Sequence, residues 1–134
     1  MYACLINYNM QVNNEIQNNS TQQQSPVYSG IVRVAFKMQL NKGCKEEYKK
    51  RHEALWPELS FLLKSNGISD YSIFLDETTY NLFGVMKMNN AGKPDNLALH
   101  PVMQKWWNYM KDIMETNTDN SPVSVPLQEV FYLP

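Results

Sequence analysis

One short segment of the sequence carries polar-tipped aromatic side chains at helical spacing. Within "EEYKKRHEALWPEL" (residues 46–59), Tyr48, His52 and Trp56 are four residues apart. On a helix, such residues lie above one another on the same face. A lone histidine on such a face is most simply a core residue whose ring bonds a backbone carbonyl, and the alternative is one wall of a pocket for a polar ligand. Trp56 keeps the simpler interpretation, a core anchor.

Other aromatic residues could share a pocket with His52. Tyr48 supplies a phenol hydroxyl, and Tyr71 follows on a predicted strand. The adjacent Trp106 and Trp107 offer ring faces and indole N–H donors. Adjacent helical residues point about 100° apart, so we expect one tryptophan in the core and the other in a pocket or interface. Aromatic faces with a few polar groups suit a pyranose sugar, whose C–H face packs on rings while its hydroxyls need hydrogen-bonding partners.

The sequence lacks the motifs of most other reaction types. Its two histidines, His52 and His100, are far apart, and there is no H-x-x-x-H motif, so we expect no bound metal. There is no G-x-G-x-x-G, Walker A or G-x-S-x-G motif, and neither Cys4 nor Cys44 has an evident partner base. Proton transfer remains, and a histidine is suited to it near neutral pH. His100, just before Pro101, is most simply a helix cap or a solvated side chain.

The elements that would position these residues follow the order β-α-β-β-α-β. Alternating apolar residues indicate strands, and apolar residues at helical spacing indicate helices. Pro57 predicts a bend or a restart within the first helix, and Gly67 predicts its end. This order predicts an α+β class protein, a ferredoxin-like sandwich with an antiparallel sheet. The predicted strands cover residues 31–40, 70–76, 80–88 and 127–134, and the predicted helices cover about 46–65 and 101–114.

Apolar residues are expected on both faces of this sheet, although two helices can cover only one. Val34, Phe36 and Met38 share one face of the first strand, while Phe74 and Phe131 lie elsewhere. A second subunit is the expected cover for the other face. We therefore predict a homodimer, a dimeric α+β barrel, with a cavity between helices and sheet in each subunit.

Composition limits the partners and the compartment. The net charge of −1 gives no electrostatic reason to expect nucleic acid or an anionic membrane surface as the partner. No apolar segment approaches the roughly 20 residues of a membrane span. The two cysteines have no paired spacing, and the N-terminal segment lacks the basic start of a secretory signal. We therefore expect a reduced, cytoplasmic protein.

The first 30 residues differ in composition from the rest of the chain. They include six Asn and five Gln, and Glu15 is their only charged residue. Such a polar segment buries too little apolar surface to offset the entropy of ordering. We therefore predict a disordered tail over residues 1–30 and one globular domain over residues 31–134.

Several segments of that domain together resemble the L-rhamnose mutarotase family. Collinear motifs with near-identical spacing are more specific than a single pattern. The resemblance implies an enzyme that interconverts the α and β anomers of L-rhamnose, needs no cofactor, and works as a homodimer of ferredoxin-like subunits. The matching motifs are "RVAFKMQL", "EEYKKRHEALWPEL", "LKSNG", "DYSIFLD", "QKWWNYM" and "DNSPVSVPLQEVFYLP".

The resemblance also implies roles for individual residues. The family's catalytic histidine matches His52 in "KRHEALWPEL". The tyrosines and tryptophans that contact the sugar match Tyr48, Tyr71, Trp106 and Trp107. As a hypothesis, His52 is the general acid toward the ring oxygen, and Tyr48, Tyr71 or a held water completes the proton path.

Two other functions stay open at this point. The protein could be a mutarotase for another deoxy sugar such as L-fucose, or a cofactor-independent enzyme, for instance an oxygenase, on the same dimeric barrel, because fold alone does not fix function. RNA-recognition domains share the β-α-β-β-α-β order. The sequence has neither their "K/R-G-F/Y-G/A-F" run nor a basic stripe, which disfavours that third class.

Overall fold

The computed structural model describes residues 30–89 and 97–134, which form one antiparallel sheet and three helices. Residues 1–29 of the predicted tail lie outside the described residues, and so do residues 90–96, where the sequence "NAGKPDN" predicts a loop. The elements in chain order are β1 (Ile31–Gln39), α1 (Lys45–Glu53), α2 (Pro57–Ser65), β2 (Ile68–Leu75), β3 (Asn81–Asn89), α3 (Pro101–Met110) and β4 (Val125–Leu127).

The sheet has the strand order β2-β3-β1-β4, and each neighbouring pair is antiparallel. Strand β1 pairs with β3 along its whole length and with β4 only over Ala35–Lys37. Strands β2 and β4 are the two edges. This arrangement confirms the predicted α+β, ferredoxin-like fold, in which α1 and α2 together form the first crossover.

The predicted first helix is divided in two, and the second part begins at Pro57. The residue before a proline avoids helical dihedral angles, and Trp56 is extended with a ψ of 131°. Proline lacks an N–H group, so it fits the first turn of a helix. The restart at Pro57 is thus confirmed. Gly67, with a φ of 82°, follows the C-terminal cap as predicted.

One side of the sheet forms the hydrophobic core with the helices. On β1, Val34, Phe36 and Met38 are buried, which confirms the predicted alternation. Their neighbours on β3 are buried in the same way, and so are the apolar residues of α2 and α3. The helices therefore cover this inner side, and the space between α1, α2 and β2 is where a cavity can form.

The third helix is shorter than predicted. It begins at Pro101, as expected, but ends at Met110 rather than at Met114. The side chain of Met114 is still buried, and its backbone forms an isolated bridge with Leu40 beyond the end of β1. The segment leaves the helix because this bridge closes the chain against the sheet.

The prediction of a final strand over residues 127–134 is wrong beyond Leu127. Strand β4 stops there, and Phe131 is 78% exposed. The only ladder of β4 is with Ala35–Lys37, so the following residues have no strand partner within the described chain. Side chains hold the segment instead: both carboxylate oxygens of Glu129 accept hydrogen bonds of 2.9 Å from Arg33.

The outer side of the sheet exposes several apolar side chains within the described chain. Phe74 is 61% exposed, and Val85 and Leu127 are also exposed. Apolar residues therefore occupy both sides of the sheet, as the sequence predicted. No helix within residues 30–89 and 97–134 has the length and apolar character that crossing a bilayer requires.

Candidate active site

A cavity of about 550 Å³ opens between α1, α2 and the inner side of the sheet. This volume lies within the range of roughly 300 to 1,000 Å³ that is typical of small-ligand sites. Helix α1 supplies its polar wall, with Tyr48 and His52 among the lining residues. Tyr71 of β2 and Trp106 of α3 also line it. Four of the five predicted site residues are therefore brought together around one space.

The remaining wall of the cavity is aliphatic, and sequence reasoning did not assign it to the site. Leucines on and before α2 form one part of it, and apolar residues of the sheet and α3 form the rest. The alternation of β2 and the helical spacing of α2 do indicate that these residues face inward. Both patterns are equally typical of core packing, so they could not assign the residues to a cavity. These lining residues are Leu40, Leu55, Leu59, Leu63, Ile73, Leu75, Leu82 and Met103.

His52 is half-buried, and its ring has a defined orientation. Its Nδ1 lies 2.9 Å from the backbone carbonyl oxygen of Tyr48. A carbonyl oxygen can only accept, so Nδ1 carries the hydrogen and donates it. The ring also stacks on Tyr48 at 4.2 Å between centroids and meets Trp106 edge-on at 5.3 Å. In the neutral imidazole, Nε2 therefore has a free lone pair.

Burial shifts the pKa values of both polar groups of this wall. It lowers the pKa of His52, because the imidazolium loses hydration, and the hydrogen bond to the Tyr48 carbonyl opposes this only in part. It raises the pKa of the Tyr48 phenol, because the phenolate would be desolvated. At neutral pH the site therefore holds a neutral imidazole and a protonated phenol.

The two adjacent tryptophans have different surroundings. Trp106 lines the cavity and packs edge-on against Trp56 at 5.2 Å between ring centroids. Trp107 is 2% exposed and is not among the lining residues. Its indole Nε1 has no hydrogen-bond partner within the described ranges. This difference agrees with the expectation of one core and one pocket tryptophan, and Trp56 packs against the core as expected.

Arg51, immediately before His52, anchors α1 to the end of α3. Its guanidinium donates to both carboxylate oxygens of Asp112 at 2.7 and 3.0 Å and to Glu47 at 2.8 Å. It also lies 4.4 Å from the ring centroid of Tyr109. The side chain is only 10% exposed. The charged run "KEEYKKRHE" predicts a solvated helix face with Glu–Lys pairs, and this prediction is wrong for Arg51.

Charged residues of α1, on the face next to that of Tyr48 and His52, form the rim of the cavity. Lys45, Lys49 and Glu53 all line the opening, and their four-residue spacing placed them beside the stripe of His52. Lys49 and Glu53 form an exposed ion pair of 3.6 Å. Lys45 pairs with Glu77 of the β2–β3 turn, which links the start of α1 to the sheet.

The second histidine serves a structural purpose. The Nδ1 of His100 accepts a hydrogen bond of 3.2 Å from the backbone N–H of Val102, at the start of α3. His100 is therefore the predicted helix cap. Within the described ranges, no three His, Cys, Asp or Glu side chains form a group that could hold a metal ion.

Comparisons with known proteins point to one family. The family model for L-rhamnose mutarotase matches residues 33–133. The L-rhamnose mutarotase of Formosa agariphila is 57% identical over 101 residues, which are 75% of this chain and 97% of that protein. The L-rhamnose mutarotase of Sinorhizobium fredii is 59% identical over 101 residues, with the same two shares.

A solved structure is similar as well. The crystal structure of an L-rhamnose mutarotase from Formosa agariphila has a TM-score of 0.72 and 55% sequence identity, and the similarity covers 77% of this chain and 99% of that one. The family match spans well over half of the chain and nearly the whole of each relative. The chain therefore belongs to the L-rhamnose mutarotase family.

Proposed function

We propose that this protein interconverts the α and β anomers of L-rhamnopyranose in the cavity between α1, α2 and the sheet. The observation that carries the proposal is His52: a half-buried imidazole whose Nδ1 is engaged by a carbonyl and whose Nε2 is available to a ligand. Among the lining residues of the described chain, His52 is the one whose ordinary pKa is near neutrality. Membership of the mutarotase family supports the choice of reaction.

In the proposed reaction, the Nε2 of His52 accepts the proton of the anomeric hydroxyl. The bond between C1 and the ring oxygen breaks, C1 becomes an aldehyde carbon, and the ring oxygen takes up the proton that His52 then releases from Nε2, directly or through Tyr71 or a held water. Rotation about the C1–C2 bond turns the other face of the aldehyde toward the 5-hydroxyl. The same proton transfers in reverse then close the ring as the opposite anomer.

The neutral state of His52 favours the base role for the resting enzyme, whereas the sequence suggested a general acid. Both roles belong to one cycle, because the imidazolium that forms after proton uptake has an acidic Nε2–H. A positioned acid–base group contributes on the order of a hundred- to ten-thousand-fold in rate. Tyr48 stays protonated, since burial raises the pKa of its phenol, and so it serves as a hydrogen-bond donor.

Substrate binding is proposed to divide between the polar and aliphatic walls. Trp106 offers a ring face to the C–H side of the sugar, and the ring of Tyr71 lines the same cavity. The leucines of α2 give a 6-deoxy sugar an apolar surface for its methyl group. Trp107 stays a prediction from the family resemblance, since its side chain lies behind the wall rather than in it.

Anomer exchange measured by saturation-transfer NMR on L-rhamnose, L-fucose and D-glucose tests this function. We expect acceleration for L-rhamnose above the enzyme-free rate, and a loss of a hundredfold or more in His52→Ala. His100→Ala is the matched control, because it removes the other histidine at a helix cap. No acceleration for any sugar would refute the function, and full activity in His52→Ala would refute the role of His52.

We also propose that the protein is a cytoplasmic homodimer. The apolar residues on the outer side of the sheet, Phe74 and Val85 among them, support a second copy as their cover. The free thiol of Cys44 fits a reducing compartment. Sedimentation at micromolar concentration should give the mass of two chains, and a monomer would contradict the dimer.

A further inference from the structure

Strand β2 does not follow a regular alternation. Ile68 is buried, and Tyr71, Ile73 and Leu75 also turn to the inner side of the sheet. In a regular strand, residues two apart share a face. Ile68 and Tyr71 are three apart, so a regular strand would turn one of them outward. Something between these residues must change the phase of the strand.

The change of phase occurs at Asp70. Ser69 pairs with Lys87 of β3, and Ser72 pairs with Val85, so three steps along β2 match two along β3. One extra residue on one strand is a β-bulge, which can re-aim the side chains that follow it. Asp70 has a φ of 46°, in the left-handed region that a non-glycine residue rarely adopts, although aspartate is enriched there.

The outer side of the bulge is held by an ion pair, and the inner side by an aromatic contact. The carboxylate of Asp70 lies 2.6 Å from the ammonium of Lys87. On the inner side, the rings of Tyr71 and Phe36 are 6.1 Å apart at 56°. Phe36 lies directly over Gly84, where an added Cβ would approach within 2.3 Å of its ring. The ring of Phe36 therefore has a fixed place, and it limits the positions of the Tyr71 ring.

We propose that Asp70 is a positioning residue for mutarotation: its left-handed bulge turns Tyr71 into the sugar cavity, in the wall that faces His52 on α1. The inference rests on the proposed function for its effect on rate, but not for its effect on the direction of Tyr71. With residue 70 in an ordinary strand conformation, its own side chain would turn inward in the regular alternation, and Tyr71 would turn outward.

The test compares Asp70→Val with Asp70→Gly. Valine is branched at Cβ and strongly disfavours positive φ, whereas glycine adopts it freely. Both variants lose the ion pair with Lys87, so they differ in backbone preference. We expect Asp70→Val to lower kcat/KM for L-rhamnose at least tenfold, and Asp70→Gly to stay within about threefold of the wild type. Ser72→Val, which places the same residue on the outer face two positions along, is the matched control and should retain activity.

Coupling to Tyr71 distinguishes positioning from a general loss of structure. In a Tyr71→Ala background, which already lacks the phenol, Asp70→Val should lower kcat/KM less than twofold further. NOE cross-peaks between the rings of Tyr71 and Phe36, measured without sugar, should persist in Asp70→Gly and Ser72→Val and disappear in Asp70→Val. If Asp70→Val does not fold, Asp70→Ala, which lacks the branch, is measured in the same way and should show the same loss to a smaller extent.

Three results would overturn the inference. They are a wild-type kcat/KM with intact cross-peaks in Asp70→Val, an equal loss in Asp70→Gly and Asp70→Val, or fully additive losses in the Tyr71→Ala background. A wild-type protein without mutarotase activity would instead refute the proposed function, and the cross-peaks would then decide on their own whether Asp70 directs Tyr71.

Discussion

Two neighbouring faces of helix α1 are held by opposite kinds of contact. On the cavity face, His52 makes one hydrogen bond to its own helix and otherwise packs against rings. On the face toward α3, Arg51 makes charged hydrogen bonds to Glu47 and Asp112. Adjacent residues therefore carry a group that must keep a nitrogen available for proton transfer and a group whose N–H donors are engaged in hydrogen bonds. The position of the reactive face therefore depends in part on the contacts of the other face.

The division follows from the sequence of the helix. Acidic residues begin α1 and basic residues end it, which suits the helix dipole. Because the residues advance about 100° around the axis at each step, Arg51 and His52 point in clearly different directions. A base that already donated or accepted through Nε2 could not take a proton from a sugar. Without the Arg51 contacts, the end of α1 that carries His52 would lose its ion pair to Asp112, which follows α3.

The largest expected effect is a loss of activity at low pH, which depends on His52 on the cavity face. If neutral His52 is the base, kcat/KM falls about tenfold for each pH unit below the pKa of His52. Burial lowers this pKa below its ordinary value of 6.5, so the fall should begin below pH 6.5. Rates of anomer exchange on L-rhamnose across pH 4 to 8, corrected for the enzyme-free reaction at each pH, measure it. A kcat/KM that rose as the pH fell would identify the imidazolium as the reactive form and contradict the base role.

The second largest effect should be a loss of stability and activity when the contacts of Arg51, on the face of α1 toward α3, are removed. Arg51→Met keeps much of the side-chain length but removes the hydrogen bonds to Asp112 and Glu47. We expect the free energy of unfolding to fall by about 1 to 3 kcal/mol, because the hydrogen bonds are charge-assisted while the partner carboxylates are partly exposed. We also expect kcat to fall about tenfold, since a small misplacement of a catalytic group is costly. Denaturant unfolding and NMR exchange rates measure the two quantities.

Controls for this variant lie on the same helix. Lys50→Met removes an exposed charge one residue away and should change neither quantity appreciably. Arg51→Lys keeps the charge but cannot form the two-pronged contact with Asp112, so it should be intermediate. An Arg51→Met protein that is less stable but has the kcat of the wild type would show that the two faces of α1 are independent.

The contrast between these faces also shows what the sequence could and could not predict. The alternation of β1, the restart at Pro57 and the cap at His100 are local, and all three were predicted correctly. The stripe of Tyr48 and His52 is local too, and the structure places both residues at the cavity.

Features that depend on distant partners could not be predicted. The contacts of Arg51 require Asp112, which lies 61 residues away, so the charged run around Arg51 appeared to be a solvated face. The bulge at Asp70 depends on the register with β3. The end of β4 at Leu127 depends on how far β1 offers a partner, which alternation in the last residues cannot reveal.

The smallest expected effect is a decrease in stability at low pH, which comes from His52 on the cavity face. The pKa of His52 is lowered in the folded state, so below pH 6.5 the unfolded chain binds a proton that the folded chain does not. The free energy of unfolding should therefore fall as the pH decreases, by up to about 1.4 kcal/mol per pH unit, until the folded-state pKa is reached, and should be unaffected above about pH 7.

Denaturant unfolding of the wild type and His52→Gln at pH 5 and pH 7.5 isolates this contribution, because all other groups are shared by the two proteins. The stability difference between the wild type and the variant should shift in favour of the variant at pH 5. The same difference at both pH values would mean that His52 titrates alike in the folded and unfolded chains, and the neutral imidazole on which the contrast between the two faces depends would then lack support.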